Sequence, residues 1–171
     1  IRFWGRRKEI IIRCLYLILV IKFLEMIEYV LLHDDTLDGI FTAIYDGFAL
    51  KKSVYKEDYD DNIAVASKNN YETHLFCDYI EVATDSIKAA KTVEYIVKKL
   101  GMAGYDMAMG VACHFSEEAG EVLFAFLVRG FKVGKGVTNM LTDKYVVKAF
   151  ELSRKTYNES HLMREFIRFS D

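Results

Sequence analysis

The sequence predicts an α+β fold that is mostly helical and contains a few short strands. Three observations lead to this prediction. Apolar residues recur at helical spacing in several long stretches, short runs of β-favouring residues lie between turn residues, and no proline interrupts the chain. The expected order along the 171 residues is a strand, a helix, a strand, a run of helices and a closing strand.

A short strand and a helix form the first predicted unit. The apolar run "EYVLL" (residues 28–32) predicts the strand, and "HDDT" after it supplies residues typical of a helix N-cap. Apolar residues then recur at three- and four-residue intervals, which predicts a helix with a buried stripe formed by Leu37, Ile40, Phe41, Ile44 and Phe48. Residues 51–72 are polar and lack periodicity, so we expect a loop there with brief order near residues 63–66.

The second predicted unit repeats this order. "LFCDYIEVA" (residues 75–83) is rich in β-favouring residues and predicts a second strand. "TDSIKAAKTVEYIVKKLG" predicts a helix that Thr84 or Asp85 caps and that Gly101 ends. Its buried stripe is expected to consist of Ile87, Ala90, Val93, Ile96, Val97 and Leu100.

The remainder of the chain is predicted to be helical until its last residues. One helix is expected over residues 102–115, and Ser116 is expected to cap another that buries Val122, Leu123, Phe126 and Leu127. Three glycines, Gly130, Gly134 and Gly136, should loosen the chain before a last helix over residues 142–158. "EFIRF" (residues 165–169) predicts the closing strand.

The first 25 residues combine a basic cluster with an apolar run at residues 10–24. Arg13 and Lys22 interrupt this run, so its apolar core is far shorter than the roughly 20 residues that a membrane-spanning helix needs. No small-residue cleavage site of a signal peptide follows. We therefore expect residues 1–25 to be a leader or non-native segment and Met26 to begin a single α+β domain. An interfacial anchor and an additional core element are the alternatives.

Charge is spread unevenly along a chain whose net charge is only −2. Residues 34–61 contain eight acidic and three basic side chains, whereas residues 130–168 contain eight basic and four acidic side chains. The net charge gives no chain-wide attraction to nucleic acid or to acidic lipid, but the basic residues 130–168 could form a binding face. Solvated helix faces produce the same asymmetry.

The three cysteines, Cys14, Cys77 and Cys113, are far apart in the sequence. Their odd number and wide spacing argue against a disulfide scaffold and favour a reducing cytoplasm. The three cysteines also form no iron–sulfur motif. A zinc site could be assembled from His74, Cys77, Cys113 and His114, whose side chains are of the types that bind zinc. However, Cys113 and the adjacent His114 would point about 100° apart on a helix, so ordinary thiols and histidines are expected, without metal or cofactor.

The glycine-rich "GFKVGKGVT" (residues 130–138) invites comparison with a phosphate-binding loop. Such a loop needs Ser or Thr after its Gly-Lys pair and a strand before it. Here Gly136 follows Lys135, and no strand is predicted upstream. We therefore expect a flexible junction between helices.

"NESHLMREFIRF" contains the candidate catalytic residues Glu159, His161 and Arg168. Glu159 and His161 would face the same way if this segment were extended, with Arg168 on the strand that follows. A carboxylate beside an imidazole can tune proton transfer near neutral pH. The same pair can also be a structural hydrogen bond at a helix end.

Basic and aromatic side chains in the same region form a candidate nucleic-acid surface. The basic residues could contact phosphates, and they are Lys132, Lys135, Arg154, Lys155, Arg164 and Arg168. The aromatic rings available for stacking on bases belong to Phe131, Tyr157, Phe166 and Phe169, although most of them are expected in the core.

Four segments in their order and spacing give the chain a family resemblance: "HDDTLDGIFTAIYDGF", "EVATDSIKAAKTV", "GFKVG" and "ELSRKTYNESHLMREFIRF". From Met26 to Asp171 the chain resembles a bacterial family of DNA-metabolism proteins that carry a domain of unknown function. Members of that family are typically encoded beside a radical SAM protein assigned to DNA modification or repair. A similar domain occurs fused to uracil-DNA-glycosylase-like proteins.

Individual positions carry this resemblance. Residues that match the family's motifs are Asp34, Thr36, Asp38, Gly39, Thr84, Asp85, Gly130, Phe131, Gly134, Arg154, Glu159, His161, Phe166, Arg168 and Phe169. The chain departs from the family at Asp35 and Glu165, where glycine is usual, and at Leu162, where a basic residue is preferred.

The resemblance implies a cytoplasmic accessory protein of DNA metabolism or repair that acts with a radical SAM partner. Its basic C-terminal half would contact nucleic acid. It also implies that the chain is the N-terminal part of a longer family domain, because members continue past the last motif. Two alternatives remain: an interaction module that docks a partner enzyme without touching nucleic acid, and an enzyme that uses Glu159, His161 and Arg168.

Overall fold

The computed structural model describes residues 28–54 and 62–170, so the expected leader segment and the predicted start at Met26 lie outside the described residues. The described elements are β1 (Tyr29–His33), α1 (Leu37–Val54), β2 (Ile63–Ser67), β3 (Asp78–Glu81), α2 (Ser86–Ala112), α3 (Ala119–Val133), a 3₁₀ helix (Gly134–Asn139) and α4 (Lys144–Ser170). This architecture confirms the predicted α+β class with its large helical share.

The three strands form one parallel sheet in the order β2-β1-β3. Tyr29 at the start of β1 is aligned with Ile63 on one side and with Asp78 on the other. Because all three strands run the same way, their carboxyl ends meet at one edge of the sheet. That edge brings together residues from three distant parts of the chain.

Alternation along the strands gives the sheet two buried faces. Leu31, Ile63 and Val65 face the main core, which the helices complete, whereas Val30, Leu32, Ala64 and Ala66 form a second apolar cluster on the opposite face. The largest fully buried side chains of the main core include Phe124 and Phe126 of α3. The four residues predicted to be buried in this helix, Val122, Leu123, Phe126 and Leu127, are buried.

The strand β2 lies within the segment that the sequence predicts as a loop with brief order. The strand consists of only five residues, "IAVAS", and its pattern is weak. It is held by pairing with β1, which lies more than 30 positions earlier in the chain. The predicted strand at residues 75–83 is present but shorter, because only Asp78–Glu81 pair with β1. Pairing between distant segments leaves little local signal in a sequence.

The first segment of helix α2 begins and ends as predicted. The carboxylate of Asp85 caps it by accepting hydrogen bonds from the amides of Ile87 and Lys88. Gly101 adopts a non-helical conformation, with φ 74° and ψ −176°, and ends this segment at a kink. The predicted helix over residues 102–115 is the segment beyond the kink, and it ends at Ala112.

The buried stripe of α2 is shifted from the predicted one. Ile96 and Leu100 are buried, whereas Ile87 and Val97 are exposed. Thr92 occupies a buried position because its hydroxyl donates to the carbonyls of Phe41 (3.2 Å) and Lys88 (3.0 Å). A satisfied hydroxyl can thus replace an apolar side chain on the packed face.

Helix α3 starts without the predicted cap. Glu118 occupies its N-cap position and makes no capping hydrogen bond with its side chain. The hydroxyl of Ser116 lies instead 3.1 Å from Nδ1 of His114. The prediction that Ser116 caps this helix is wrong, because the histidine takes that hydroxyl as its partner.

The predicted closing strand at residues 165–169 is wrong, because α4 continues without interruption to Ser170. Residues 159–168 contain no glycine or proline, and they include Leu, Met, Arg and Glu, which favour helices. A guanidinium nitrogen of Arg168 lies 3.8 Å from a carboxylate oxygen of Glu165. These residues are three positions apart, and opposite charges at that sequence separation stabilise a helix. Within the described part of the chain, no helix combines the length and apolar character needed to cross a membrane.

Asp143 fastens the start of α4, and replacing it with alanine is expected to destabilise the protein by about 2–3 kcal/mol. Its Oδ1 accepts hydrogen bonds from the amides of Tyr145 (2.9 Å) and Val146 (3.2 Å), and its Oδ2 accepts one from Nε of Arg129 (2.8 Å). Alanine removes the cap and leaves the largely buried Arg129 without this carboxylate. Urea denaturation monitored by circular dichroism measures the loss.

Asp143→Asn is the matched control, since its single oxygen can still accept from the amides of Tyr145 and Val146 while its NH2 group cannot accept from Arg129, and we expect a smaller loss of about 1–2 kcal/mol. Burial acts to raise the pKa of Asp143, but hydrogen bonds from Arg129, Val146 and Tyr145 outweigh it, so the pKa lies below its usual value. This stabilisation is therefore present above the unfolded pKa of about 3.9 and is lost as pH falls through the folded pKa. The free energies of unfolding of the wild type and Asp143→Ala should therefore converge below that pKa. A difference between them that persisted undiminished there would contradict this account.

Candidate functional site

The carboxyl edge of the sheet links three segments through Asp34, directly after β1. The hydroxyl of Thr84 donates to Oδ2 of Asp34 (2.7 Å), and Nζ of Lys68 lies 3.0 Å from Oδ1. The hydrogen bonds from Thr84 and Lys68 lower the pKa of Asp34. Thr84 and Asp34 are 50 positions apart, so two motifs of the family resemblance meet here.

Asp35 forms a second bridge at this edge, between the end of β1 and the end of β2. Its two carboxylate oxygens accept hydrogen bonds from the hydroxyl of Ser67 and from Nδ2 of Asn69 (2.7 Å to Asn69). These two hydrogen bonds lower the pKa of Asp35. Asp35 is therefore integrated into the edge.

Other motif residues at this end of the molecule shape the backbone. The hydroxyl of Thr36 accepts a hydrogen bond from the amide of Gly39 (2.9 Å) in the first turn of α1. A Cβ at Gly39 would collide with the backbone carbonyl of Asp34, so only glycine fits this turn. Thr42 connects α1 to α2, because its hydroxyl accepts from the amide of Asp85 (3.1 Å). These positions therefore have structural roles.

His33, the last residue of β1, is buried with 6% of its surface exposed. Its Nδ1 lies 2.7 Å from the carbonyl oxygen of Asp34, an acceptor, so Nδ1 carries the proton. Burial lowers the pKa of His33 more than this hydrogen bond and the neighbouring carboxylates raise it. The imidazole is therefore neutral near pH 7, and Nε2 bears a lone pair.

A cleft of about 330 Å³ opens at this edge, between the ends of β1 and β2 and the starts of α1 and α3. His33 lines it, together with Thr36, Ser67, His114, Phe115 and Ser116. Sequence reasoning missed this site. It assigned "HDDT" to helix capping and treated His114 as an ordinary histidine, because β2 was not predicted as a full strand and the edge of the sheet was therefore not recognised.

The candidate catalytic residues all lie on α4. Glu159 and His161 project about 200° apart, because a helix advances about 100° per residue, so the extended geometry that would pair them is absent. Arg168 and His161 lie on the same side of α4, about 20° apart. The structure therefore separates Glu159 from the other two.

The six candidate phosphate-binding residues are all exposed, but they form two groups. Lys132 and Lys135 lie at the end of α3 and in the 3₁₀ helix, where the Lys135 stem passes over Gly101. The other four, Arg154, Lys155, Arg164 and Arg168, lie along α4. Arg164 borders the far end of α2 at Cys113, which is about 18 Å from Gly101 along that helix.

The candidate stacking rings have different surroundings. Phe131 packs in the core against Phe48 and Tyr95, with ring centroids 5.0 and 4.8 Å away. Tyr157 and Phe166 are exposed, and the hydroxyl of Tyr157 donates to the carbonyl of Asp106 (2.9 Å). The side chain of Phe169 lies outside the described part of the structure.

Two further sequence motifs can be placed in the structure. Across residues 28–54 and 62–170, no group of three or more His, Cys, Asp or Glu side chains is arranged to hold a metal ion. Gly134, Lys135 and Gly136 lie in the 3₁₀ helix directly after α3, so a helix and not a strand precedes them. The glycine-rich segment is therefore a junction between helices.

The C-terminal third of the chain has a recognised sequence relationship. Residues 117–171 match the family described as a domain of unknown function (DUF4130). The matched segment contains α3, the 3₁₀ helix and α4, and with them every candidate catalytic and phosphate-binding residue. No curated protein and no solved structure matches the chain.

Proposed function

We propose that the protein is an accessory protein of DNA metabolism that acts with a radical SAM enzyme and binds single-stranded DNA through α4. The family resemblance from Met26 to Asp171 supports this proposal, and the match of residues 117–171 to DUF4130 agrees with the domain of unknown function that the resemblance includes. The observation that carries it is a stripe of exposed basic and aromatic side chains along the second half of α4.

The stripe consists of Arg154, Tyr157, His161, Arg164 and Arg168, which fall within about 80° of arc. It is about 21 Å long, so it can follow several phosphates of an extended strand. Guanidinium groups bind phosphate oxygens in a bidentate manner, and a tyrosine ring can stack on a base. Glu165 lies beside the stripe, 3.8 Å from Arg168, and makes the stripe less positive at its end.

Binding to a labelled single-stranded oligonucleotide should weaken as salt increases. Three arginine–phosphate contacts predict a slope of about −2 in a plot of log affinity against log salt, because each contact on a single strand contributes about −0.7. Arg164→Gln combined with Arg168→Gln should reduce the magnitude of the slope by about 1.4. Fluorescence anisotropy over a salt series measures both values.

Lys91→Gln combined with Lys98→Gln provides the matched control, since it removes the same charge from exposed positions on α2. This control should leave the slope nearly unchanged. An equal reduction in both double variants would mean that the chain binds through its overall charge. Absence of binding at high micromolar protein would rule out direct DNA recognition by this chain.

A second candidate function is docking of the partner enzyme without contact to nucleic acid. The observation that favours it is on the other side of α4, where Leu162, Met163, Phe166 and Ile167 are between 55% and 71% exposed. Large apolar side chains clustered on a surface are typical of protein-binding sites. Weak DNA association that does not respond to salt, in the same anisotropy experiment, would favour this function.

A further inference from the structure

We propose that the cleft at the carboxyl edge of the sheet binds a small, planar ligand that is rich in N–H and O–H donors and carries no negative charge, the chemistry of a nucleoside. This site is separate from the stripe on α4, so the proposal stands independently of DNA binding there. Four observations carry it: the position of the cleft, a buried acceptor, the charges of its lining and an exposed ring at its rim.

The cleft is at the carboxyl ends of two parallel strands. Strands β1 and β2 end at the cleft, and the first residues of α1 and α3 complete its wall. Ligands of open α/β sheets bind outside the carboxyl ends of the strands, and this cleft shares β1 with the switch point between β1 and β3. A volume of about 330 Å³ lies within the range of small-molecule sites.

His33 supplies a preformed hydrogen-bond acceptor. The carbonyl of Asp34 holds the proton on Nδ1, so Nε2 is the ring atom left to accept a hydrogen bond, and it has no protein partner within the described residues. The side chain is 94% buried, and an unsatisfied acceptor at such a position is costly. A ligand N–H or O–H that reaches Nε2 would remove this cost.

The lining restricts the charge of the ligand. Two carboxylates, Asp35 and Glu117, line the cleft, and no lysine or arginine does. Both Asp35 oxygens already accept hydrogen bonds from the protein, so this carboxylate contributes mainly negative charge. Hydroxyls of Thr36 and Ser116 offer further partners for a polyhydroxyl group such as a sugar. The two carboxylates disfavour a phosphate here and act against the positive N-terminal ends of α1 and α3.

Phe115 at the rim favours a planar ligand. Its ring is 86% exposed although a phenylalanine ring is normally buried, and it lines the cleft. Every nucleobase has a π-face that can stack on such a ring. A base stacked on Phe115 would lie at the rim of the cleft that His33 also lines.

Titration of the ¹⁵N-labelled full chain with adenosine and with cytidine, followed by amide chemical shifts, tests the proposal. We expect saturable shifts of the amides around the cleft with at least one of these nucleosides, and binding at least tenfold weaker with its 5′-monophosphate and with ribose. No shifts around the cleft at 10 mM of either nucleoside would overturn the proposal, as would equal affinity for the monophosphate or for ribose.

Two variants make the test specific. Phe115→Ala should weaken nucleoside binding about tenfold, because it removes the stacking ring. Phe76→Ala is the matched control, since Phe76 is also 86% exposed but lies outside the cleft. Equal weakening by both variants would overturn the stacking role. Arg164→Gln combined with Arg168→Gln should leave nucleoside binding unchanged, so the two binding proposals fail or succeed separately.

Discussion

Gly120→Ala is expected to destabilise the protein by about 3 kcal/mol, as overpacking of a tight contact does. Gly120 is in the first turn of α3, where the helix approaches the backbone of β2. A Cβ at this position would lie 2.8 Å from the carbonyl carbon of Val65 and would collide with its oxygen. These are backbone atoms of a paired strand, so they cannot rotate away. Urea denaturation gives the change in the free energy of unfolding.

Gly136→Ala is the control for this prediction. Its nearest neighbour would be Cγ1 of Val133 at 3.7 Å, an ordinary van der Waals contact, and its φ is not in the left-handed region. We expect a change within about 0.5 kcal/mol. If the two glycine variants had equal stability, α3 would not approach β2 as closely as the structure shows.

Phe124→Ala is the second large effect, with an expected loss of about 3–5 kcal/mol. The ring is 2% exposed and packs against Phe48 with centroids 5.1 Å apart. Truncation leaves a cavity between α1 and α3 that surrounding helices fill only in part. The midpoint of urea denaturation should fall while the slope of the transition is retained.

A double-mutant cycle tests the contact itself. A Cβ at Gly47 of α1 would lie 2.8 Å from Cε2 of Phe124, so Gly47→Ala alone should cost about 1–3 kcal/mol. Phe124→Leu removes that ring atom, and Gly47→Ala should then cost at least about 1 kcal/mol less than in the wild type. Strict additivity of the two substitutions would contradict the packing of Phe124 on Gly47.

Elements with local signals were predicted well from the sequence. Helix α1 follows from its apolar spacing, and the cap of α2 follows from Asp85, because both depend on neighbours within a few positions. Strand β2 was not predicted as a full strand, since its partner β1 is more than 30 positions away. The end of α4 was wrong because "EFIRF" combines β-favouring rings with a helix-favouring context, and the context prevailed.

The residues of the candidate sites also divide into those with local signals and those that depend on distant parts of the chain. The basic residues of α4 could be selected from the sequence by type, and their common stripe follows once the segment is known to be helical. The pairing of Asp34 with Thr84 and the cleft beside His33 depend on the parallel alignment of three short strands. Residue types alone do not specify that alignment. The structure was therefore required to find the cleft.

The kink at Gly101 divides α2 into two segments that contact different helices. Before the kink, Thr92 and Lys88 join the helix to α1, through the carbonyl of Phe41 and the carboxylate of Asp46. Beyond it, Asp106 and Gly110 hold α4. The helical hydrogen-bond ladder is interrupted between these two sets of contacts. A force that α4 receives from a bound partner therefore reaches the second segment of α2 through these contacts, and it reaches α3 through the ion pair between Arg129 and Asp143.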